Sequence, residues 1–211
     1  MASVKNDLGL RGRLGNCVFY NLRGKSFVRI QGKSNNPNTE KQLEMRTRFL
    51  VAIRFYQRLK ETPLKRVLSI SAQGKSASGY SFYMEKNLKA FRANGSIGDF
   101  SQLQFSAGKR ERGRHLRGAV DERGEVVLQW SSNYSLEWEE DDDRLMLVVL
   151  HEKRPFSPEV IECSRVLRKD GLARFPMKGW DGETLHLYCF FVSPDGEQVS
   201  TSQYVRLQRE V

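Results

Sequence analysis

From residue 116 to the C-terminus the apolar residues recur with a period of two, in short runs cut by turn sequences. The runs cover 116–120, 125–130, 144–151, 160–166, 172–176, 184–192 and 198–207. Between them stand Asp121-Glu122-Arg123-Gly124, Arg168-Lys169-Asp170-Gly171, Trp180-Asp181-Gly182-Glu183 and Ser193-Pro194-Asp195-Gly196. Each places a glycine after polar residues, where a tight reversal demands a positive φ. Seven short strands within about ninety residues predict an antiparallel β-sandwich, each strand covering one inner face.

The first 115 residues follow other rules. Gly9, Gly12 and Gly15 precede two β-type runs, Cys17-Val18-Phe19-Tyr20 and Ser26-Phe27-Val28-Arg29-Ile30, which flank a basic turn over 21–25. This predicts a hairpin. Thr39 followed by Gln42 makes a capping-box pattern, and Met45, Phe49, Ala52, Ile53, Tyr56 and Leu59 then recur at helical spacing until Pro63. A second helix is predicted after Pro63 through Leu64, Val67, Leu68 and Ile70, and a third over 79–91 through Tyr80, Tyr83, Met84, Leu88 and Phe91. The expected fold class is therefore α+β: an N-terminal β-hairpin plus about three helices sharing one small core, then a seven-stranded antiparallel β-sandwich. The expected domains are 1–115 and 116–211.

Charge is sorted along the chain in the same sense. Residues 1–118 hold 24 Lys and Arg against 7 Asp and Glu, and residues 119–211 hold 11 against 18. A segment this basic favours a polyanionic partner such as DNA or RNA. The candidate phosphate-binding residues are Arg11, Arg13, Arg23, Lys25 and Arg29 around the hairpin, with Arg110, Arg112 and Arg114 in the basic run before the first sandwich strand. Phe19, Tyr20 and Phe27 are interleaved with the hairpin cations, a mixture that suits base stacking beside phosphate contacts. The same pattern also describes a solvated edge hairpin with core aromatics. The acidic stretch 137–143 offers carboxylates to a hard cation but lacks the ligand alternation and central glycine of a calcium-binding hand. It reads as an exposed loop, or as a counter-surface through which the basic N-terminal region pairs with it in the same or a neighbouring molecule.

Catalytic readings find little support. Gly-Lys-Ser occurs at 24–26, 32–34 and 74–76, but a phosphate-binding loop needs a glycine five positions earlier, where Phe19, Phe27 and Ser69 stand. His115, His151 and His186 are scattered without metal-binding spacing, and no nucleophile-elbow motif surrounds any serine. Cys17, Cys163 and Cys189 are odd in number and widely spaced, which favours free thiols over a disulfide framework or a structural zinc. We expect no enzyme activity, no cofactor, no metal and no catalytic residue. The N-terminus lacks a secretory apolar core and the run 145–150 is too short to span a bilayer, so the expected location is cytoplasmic, without membrane contact.

Two resemblances add to this reading. Val127-Leu128-Gln129-Trp130 is similar to the second strand of a fibronectin type III domain with its core tryptophan, and Tyr188-Cys189-Phe190-Phe191-Val192 with Ser193-Pro194-Asp195-Gly196 resembles its sixth strand and final hairpin. Over nearly its full length the chain also resembles domain of unknown function 6266, an uncharacterised bacterial family known from Bacteroidetes. The matching residues are Gly12, Gly15-Asn16, Val18, Tyr20, Gly24-Lys25, Val28-Arg29, Asn36-Pro37, Thr39, Gln42 and Arg46. Farther on they are Asp99-Phe100-Ser101, Ser106-Ala107-Gly108, Trp130, Asp143-Arg144-Leu145-Met146 and Ser200-Thr201-Ser202-Gln203-Tyr204-Val205. The resemblance implies no activity. The N-terminal element is also similar to openings of uncharacterised phage-associated proteins. The leading expectation is a non-enzymatic protein whose basic module contacts nucleic acid through phosphates. The alternatives are a structural or assembly protein, phage-related, built on sandwich edges and opposed charge, and a carbohydrate binder using Trp138 and Trp180.

Overall fold

Two reversals governed by positive backbone φ build the N-terminal sheet. In the computed structural model, which describes residues 2–3, 9–32, 38–131, 140–176 and 182–208, four strands pair antiparallel in the order β1-β4-β3-β2. They are β1 (Ala2–Ser3), β2 (Gly12–Leu14), β3 (Cys17–Leu22) and β4 (Lys25–Ile30). Gly15 has φ 58° at the first position of the β2–β3 turn, and Arg23 (φ 51°) and Gly24 (φ 76°) form the β3–β4 turn. Positive φ at both central residues is the type I′ condition, whose twist matches that of the flanking strands. The reversal thus takes two residues rather than the five expected, and Leu22 pairs directly with Lys25.

This sheet belongs to one of two compact units, Met1–Thr39 and Glu40–Val211, so position 115/116 falls inside the second. No described side chain of the first unit is fully buried. Both clusters of buried apolar residues found among the described residues belong to the second unit. The helices find their cover elsewhere.

In the second unit three helices, α1 (Glu40–Leu59), α2 (Leu64–Ala72) and α3 (Gly79–Asn87), precede seven strands. Pro63 stands at the N-cap of α2, a position where a missing N–H costs no helical bond. Ser78 caps α3, its hydroxyl accepting the Ser81 N–H at 3.1 Å. The strands are β5 (Arg114–Val120), β6 (Glu125–Ser131), β7 (Arg144–His151), β8 (Arg154–Leu167), β9 (Leu172–Pro176), β10 (Leu185–Val192) and β11 (Gln203–Leu207). They form two antiparallel sheets, β5-β6-β9 and β11-β10-β7-β8.

The strand β10 explains how these layers stack. All eight of its residues, Leu-His-Leu-Tyr-Cys-Phe-Phe-Val, are buried, which requires cover on both faces. Leu185, Leu187, Cys189 and Phe191 meet Val126, Leu128, Trp130, Ala173 and Phe175 of the three-stranded sheet. Tyr188, Phe190 and Val192, with Val148 and Leu150 of β7, join Phe55, Leu59, Leu68, Phe82 and Tyr83 of the helices. Residues 40–211 thus form three layers: helices, a four-stranded sheet and a three-stranded sheet. A free-standing seven-stranded sandwich is not what these residues build, because the outer face of its larger sheet is the floor of the helical layer. Burial of side chains such as Phe190 and Phe191 contributes about 1.5–3 kcal/mol each.

Three local departures have physical causes. The strand β8 is twice as long as the expected 160–166; its Pro155 and Pro158 fall in the irregular stretch between the Arg154–His151 and Glu159–Val149 pairs of an edge strand, where proline is tolerated. The strand β11 is shorter than the expected 198–207, and the residues before it bond both to β10, where the Ser200 N–H donates to the Phe191 carbonyl, and to the segment 105–107. The Ser106 hydroxyl donates to the Ser200 carbonyl at 2.8 Å, the Ser202 hydroxyl accepts the Phe105 N–H at 3.2 Å, and the Ser71 hydroxyl accepts the Ala107 N–H at 3.0 Å. Finally, Met45 and Phe49 are not core: they are exposed with Leu43 and Leu50, and the buried residues of α1 begin at Val51. Helical periodicity runs past the end of the layer beneath it.

Candidate functional site

In the N-terminal sheet the register decides which side chains meet. Arg13 pairs with Val18 and Val18 with Arg29; Tyr20 pairs with Phe27; Leu22 pairs with Lys25. Residues directly opposite in an antiparallel ladder share a face, and every second residue returns to it. One face therefore carries Arg13, Lys25 and Arg29 together with Val18, Tyr20, Leu22 and Phe27. The other carries Leu14, Cys17, Phe19, Val28 and Ile30 with the Asn21–Ser26 pair, and no cation. Tyr20 and Phe27 stack, with ring centroids 5.6 Å apart and planes 22° from parallel. Arg23 stands at the tip of the β3–β4 turn and Arg11 just before β2.

All five cations of residues 9–32 are exposed, and this stretch contains no Asp or Glu. Residues 1–39 carry seven Lys and Arg against one Asp, so this short unit holds +6 of the chain's +10. Among the described residues none of the five forms an ion pair. The Arg13 Nε donates to the Gly15 carbonyl at 3.0 Å, which orients its guanidinium.

The three remaining candidate cations lie in the other unit and differ from one another. Arg112 is exposed. Arg114 is exposed and 3.8 Å from Glu111. Arg110 is only 13% exposed and sits 3.7 Å from Glu140 and 4.0 Å from Asp143. Its charge is answered inside the protein, which leaves it a poor phosphate ligand.

Arg110 is the rim of a buried ionic cluster centred on Arg168. That guanidinium is 2% exposed, donates to Asp143 at 3.1 Å and to the Glu111 carbonyl at 2.7 Å, and stands 4.2 Å over the Phe191 ring. Trp130 Nε1 donates to the Arg168 carbonyl at 2.7 Å. Burial raises the Asp143 carboxyl above its usual range, opposed by the Arg168 hydrogen bond and the charges of Arg110 and Arg168. Of the acidic stretch, Glu140 and Asp143 thus serve this internal cluster and Asp142 pairs with Lys169 at 2.8 Å. Residues 137–139, like Asn35-Asn36-Pro37, Trp138 and Trp180, lie outside the described residues. Nothing in the sequence distinguishes Arg168, which occupies an ordinary Arg-Lys-Asp-Gly turn.

Among the described residues the three histidines and the three cysteines lie in separate settings. His151 Nδ1 is 2.7 Å from Glu183 and its Nε2 is 3.1 Å from Arg154, at the β7–β8 hairpin. His186 stacks on Phe100 and bonds Tyr204 at 2.8 Å, and burial lowers its pKa. The three cysteines are free; burial pushes the Cys163 thiol up to about 11 and the Cys189 thiol higher still, so neither supplies a thiolate. Cys163 also lines a cleft of about 230 Å³ with Arg66 and Arg144, but Arg66 pairs with Glu197 and Arg144 donates to the Pro194 carbonyl. Lys25-Ser26 opens a strand and Lys75 donates to the Ala107 carbonyl, so neither described Gly-Lys-Ser forms a phosphate loop. Among the described residues no group of three or more His, Cys, Asp or Glu is placed to hold a metal, and no helix is long and apolar enough to cross a membrane.

A family model described as a family of unknown function (DUF6266) matches residues 9–206. The chain belongs to DUF6266. No curated protein and no solved structure matches it. Several residues by which the sequence resembles DUF6266 have structural work in this chain. Gly24 makes the I′ turn, Asp99 caps the turn Phe100–Gln102 by accepting the Ser101 N–H at 2.9 Å, and Asp143 pairs with Arg168. Ser106 and Ser200 belong to the seam above β11. The Val18-Arg29 and Tyr20 positions instead fall on the basic face.

Proposed function

We propose that this DUF6266 protein is a non-enzymatic, cytoplasmic binding protein whose N-terminal sheet contacts nucleic acid, DNA or RNA, through phosphate contacts. The observation that carries the reading is the run of five exposed cations without a carboxylate in residues 9–32. Such a surface repels itself, and a polyanion relieves that repulsion while releasing its own condensed counterions with an entropic gain. Arg11, Arg13, Arg23, Lys25 and Arg29 form the contact set, with Arg112 and Arg114 as candidates from the other unit. Arg110 is set aside because Glu140 and Asp143 engage it. The test is light-scattering mass of the nuclease-treated protein at low and high salt, with and without a short oligonucleotide. A monomer that gains the oligonucleotide's mass only at low salt supports the reading; a mass indifferent to nucleic acid at low salt overturns it.

A second reading, assembly, draws on a different observation. Leu43, Met45, Phe49 and Leu50 leave the first three turns of α1 with four exposed apolar side chains. In that reading a second copy covers these side chains, and the same scattering experiment returns a concentration-dependent oligomer that ignores nucleic acid. The strand pairing β5-β6-β9 and β11-β10-β7-β8, with Trp130 at the centre of their shared core, supports regarding the two sheets as a fibronectin type III-like sandwich carrying helices on its outer face.

A further inference from the structure

We infer that the basic face of the N-terminal sheet takes single-stranded rather than duplex nucleic acid, with bases stacked on Tyr20 and Phe27; this rests on the nucleic-acid reading above. Phosphate contacts alone make no such distinction. What makes it is the segregation fixed by the ladder. All three strand cations, Arg13, Lys25 and Arg29, share the face of the Tyr20–Phe27 stack, and none lies on the opposite face. The aromatic row sits between the Arg13-Val18-Arg29 row and the Leu22-Lys25 row, and same-face rows two residues apart are separated by about 7 Å. A strand crossing the sheet thus meets cation, ring and cation in succession.

An aromatic platform is of use only to a base whose own face is free. In a duplex each base is already stacked on its neighbours and presents only its edge, whereas a single strand can splay bases onto a sheet surface while its phosphates reach flanking cations. Tyr20 and Phe27 are half-buried rather than enclosed, and the flanking Arg13, Lys25 and Arg29 are exposed. Because every base has a π-face, the site has no strong sequence preference. A merely structural role for the ring pair, as a cross-strand contact stabilising the hairpin, predicts no effect on the choice between single and double strands.

The experiment is fluorescence anisotropy of the full chain with three probes at one salt concentration: a labelled 20-nucleotide oligothymidylate, a 20-base-pair duplex, and heparin as competitor lacking bases. The expected result is tighter binding of the single strand than of the duplex. Replacing Tyr20→Val and Phe27→Val keeps strand propensity while removing the rings. It is expected to weaken oligothymidylate binding by about tenfold or more, within the range of stacking on one or two bases, with heparin competition changed less than about twofold because the phosphate-type term persists. Should the double variant unfold, photocrosslinking of bromouridine-substituted oligonucleotide to the unaltered protein decides the matter: crosslinks at Tyr20 or Phe27 support the inference, and crosslinks only elsewhere overturn it. Equal affinity for single strand and duplex, or an unchanged affinity in the ring variant, also overturns it while leaving the nucleic-acid reading in place. Failure of both nucleic acids to bind at low salt removes that reading itself.

Discussion

Replacing Arg168 by Met removes a charge from the interior while keeping most of the side-chain volume. At 2% exposure the parent guanidinium is held by Asp143 at 3.1 Å, Glu140 at 3.5 Å, the Glu111 carbonyl at 2.7 Å and the Phe191 ring at 4.2 Å. In the variant Asp143 remains fully buried beside Glu140, with the Arg110 guanidinium left to answer its charge, its Nε at 4.0 Å. Breaking a buried pair by removing one partner costs about 3–5 kcal/mol, most of it the desolvation of the charge left behind. For a unit the size of residues 40–211, each kcal/mol moves the midpoint by about 2–4 °C, so Arg168→Met is expected to lower Tm by about 6–20 °C. The companion variant Arg168→Met/Asp143→Leu removes both charges and is expected to recover at least about half of the loss, since an apolar pair of similar volume replaces a buried ion pair at little cost. Urea and thermal unfolding monitored by circular dichroism measure both. A single variant within about 1 kcal/mol of the parent, or a double variant no better than the single, would refute the reasoning.

Three further outcomes follow from the same structure. Arg110→Gln is expected to destabilise by about 1–3 kcal/mol, because Glu140 and Asp143 lose a partner, yet to leave oligonucleotide affinity within about twofold, since the parent charge is already neutralised; urea unfolding and anisotropy read the two effects separately. Gly108→Ala drives a Cβ into the Val199 carbonyl oxygen, a backbone atom already holding the Arg110 N–H at 3.3 Å. The cost is expected at the top of the about 1–3 kcal/mol range for overpacking, measured as a fall in the urea midpoint. Burial, aided by the charge of Arg206, lowers the pKa of His186 below its ordinary value of about 6.5. Its contribution is therefore fully present above that value and is lost as pH falls through the folded pKa. His186→Phe, which keeps the stack on Phe100, is expected to show a flatter fall in stability than the parent between pH 7.5 and about 5 in urea titrations; identical slopes would contradict the assignment.

The apolar runs of β7 and β10 carried more information than their period of two. Leu145 to Leu150 is unbroken and β10 alternates no polar residue outward except His186, so both strands needed cover on two faces. A sandwich with one inner face cannot supply that, and the helical layer does. The helices themselves were legible from Thr39, Pro63 and their 3.6-residue spacing, but spacing continues through Met45 and Phe49, which are exposed. The basic run 109–117 looks uniform because the counter-charges of Arg110, Glu140 and Asp143, are distant in sequence and meet it, with Arg168, in the fold. The basic face depends on register. The hairpin's place was readable from its glycines, yet a one-residue slip would have put Tyr20 and Arg29 on opposite faces. Only the two-residue Arg23-Gly24 turn fixes them together.

The most direct test of the central claim is the salt dependence of oligonucleotide binding by the parent and by Arg11→Gln/Arg13→Gln/Arg23→Gln. If the five N-terminal cations each neutralise one phosphate of a single strand, log K falls against log salt with a slope of about −3.5 in the parent and about −1.4 in the triple variant. Absence of binding at low salt, or a slope that the triple substitution leaves unchanged, would contradict the assignment of phosphate contacts to this sheet.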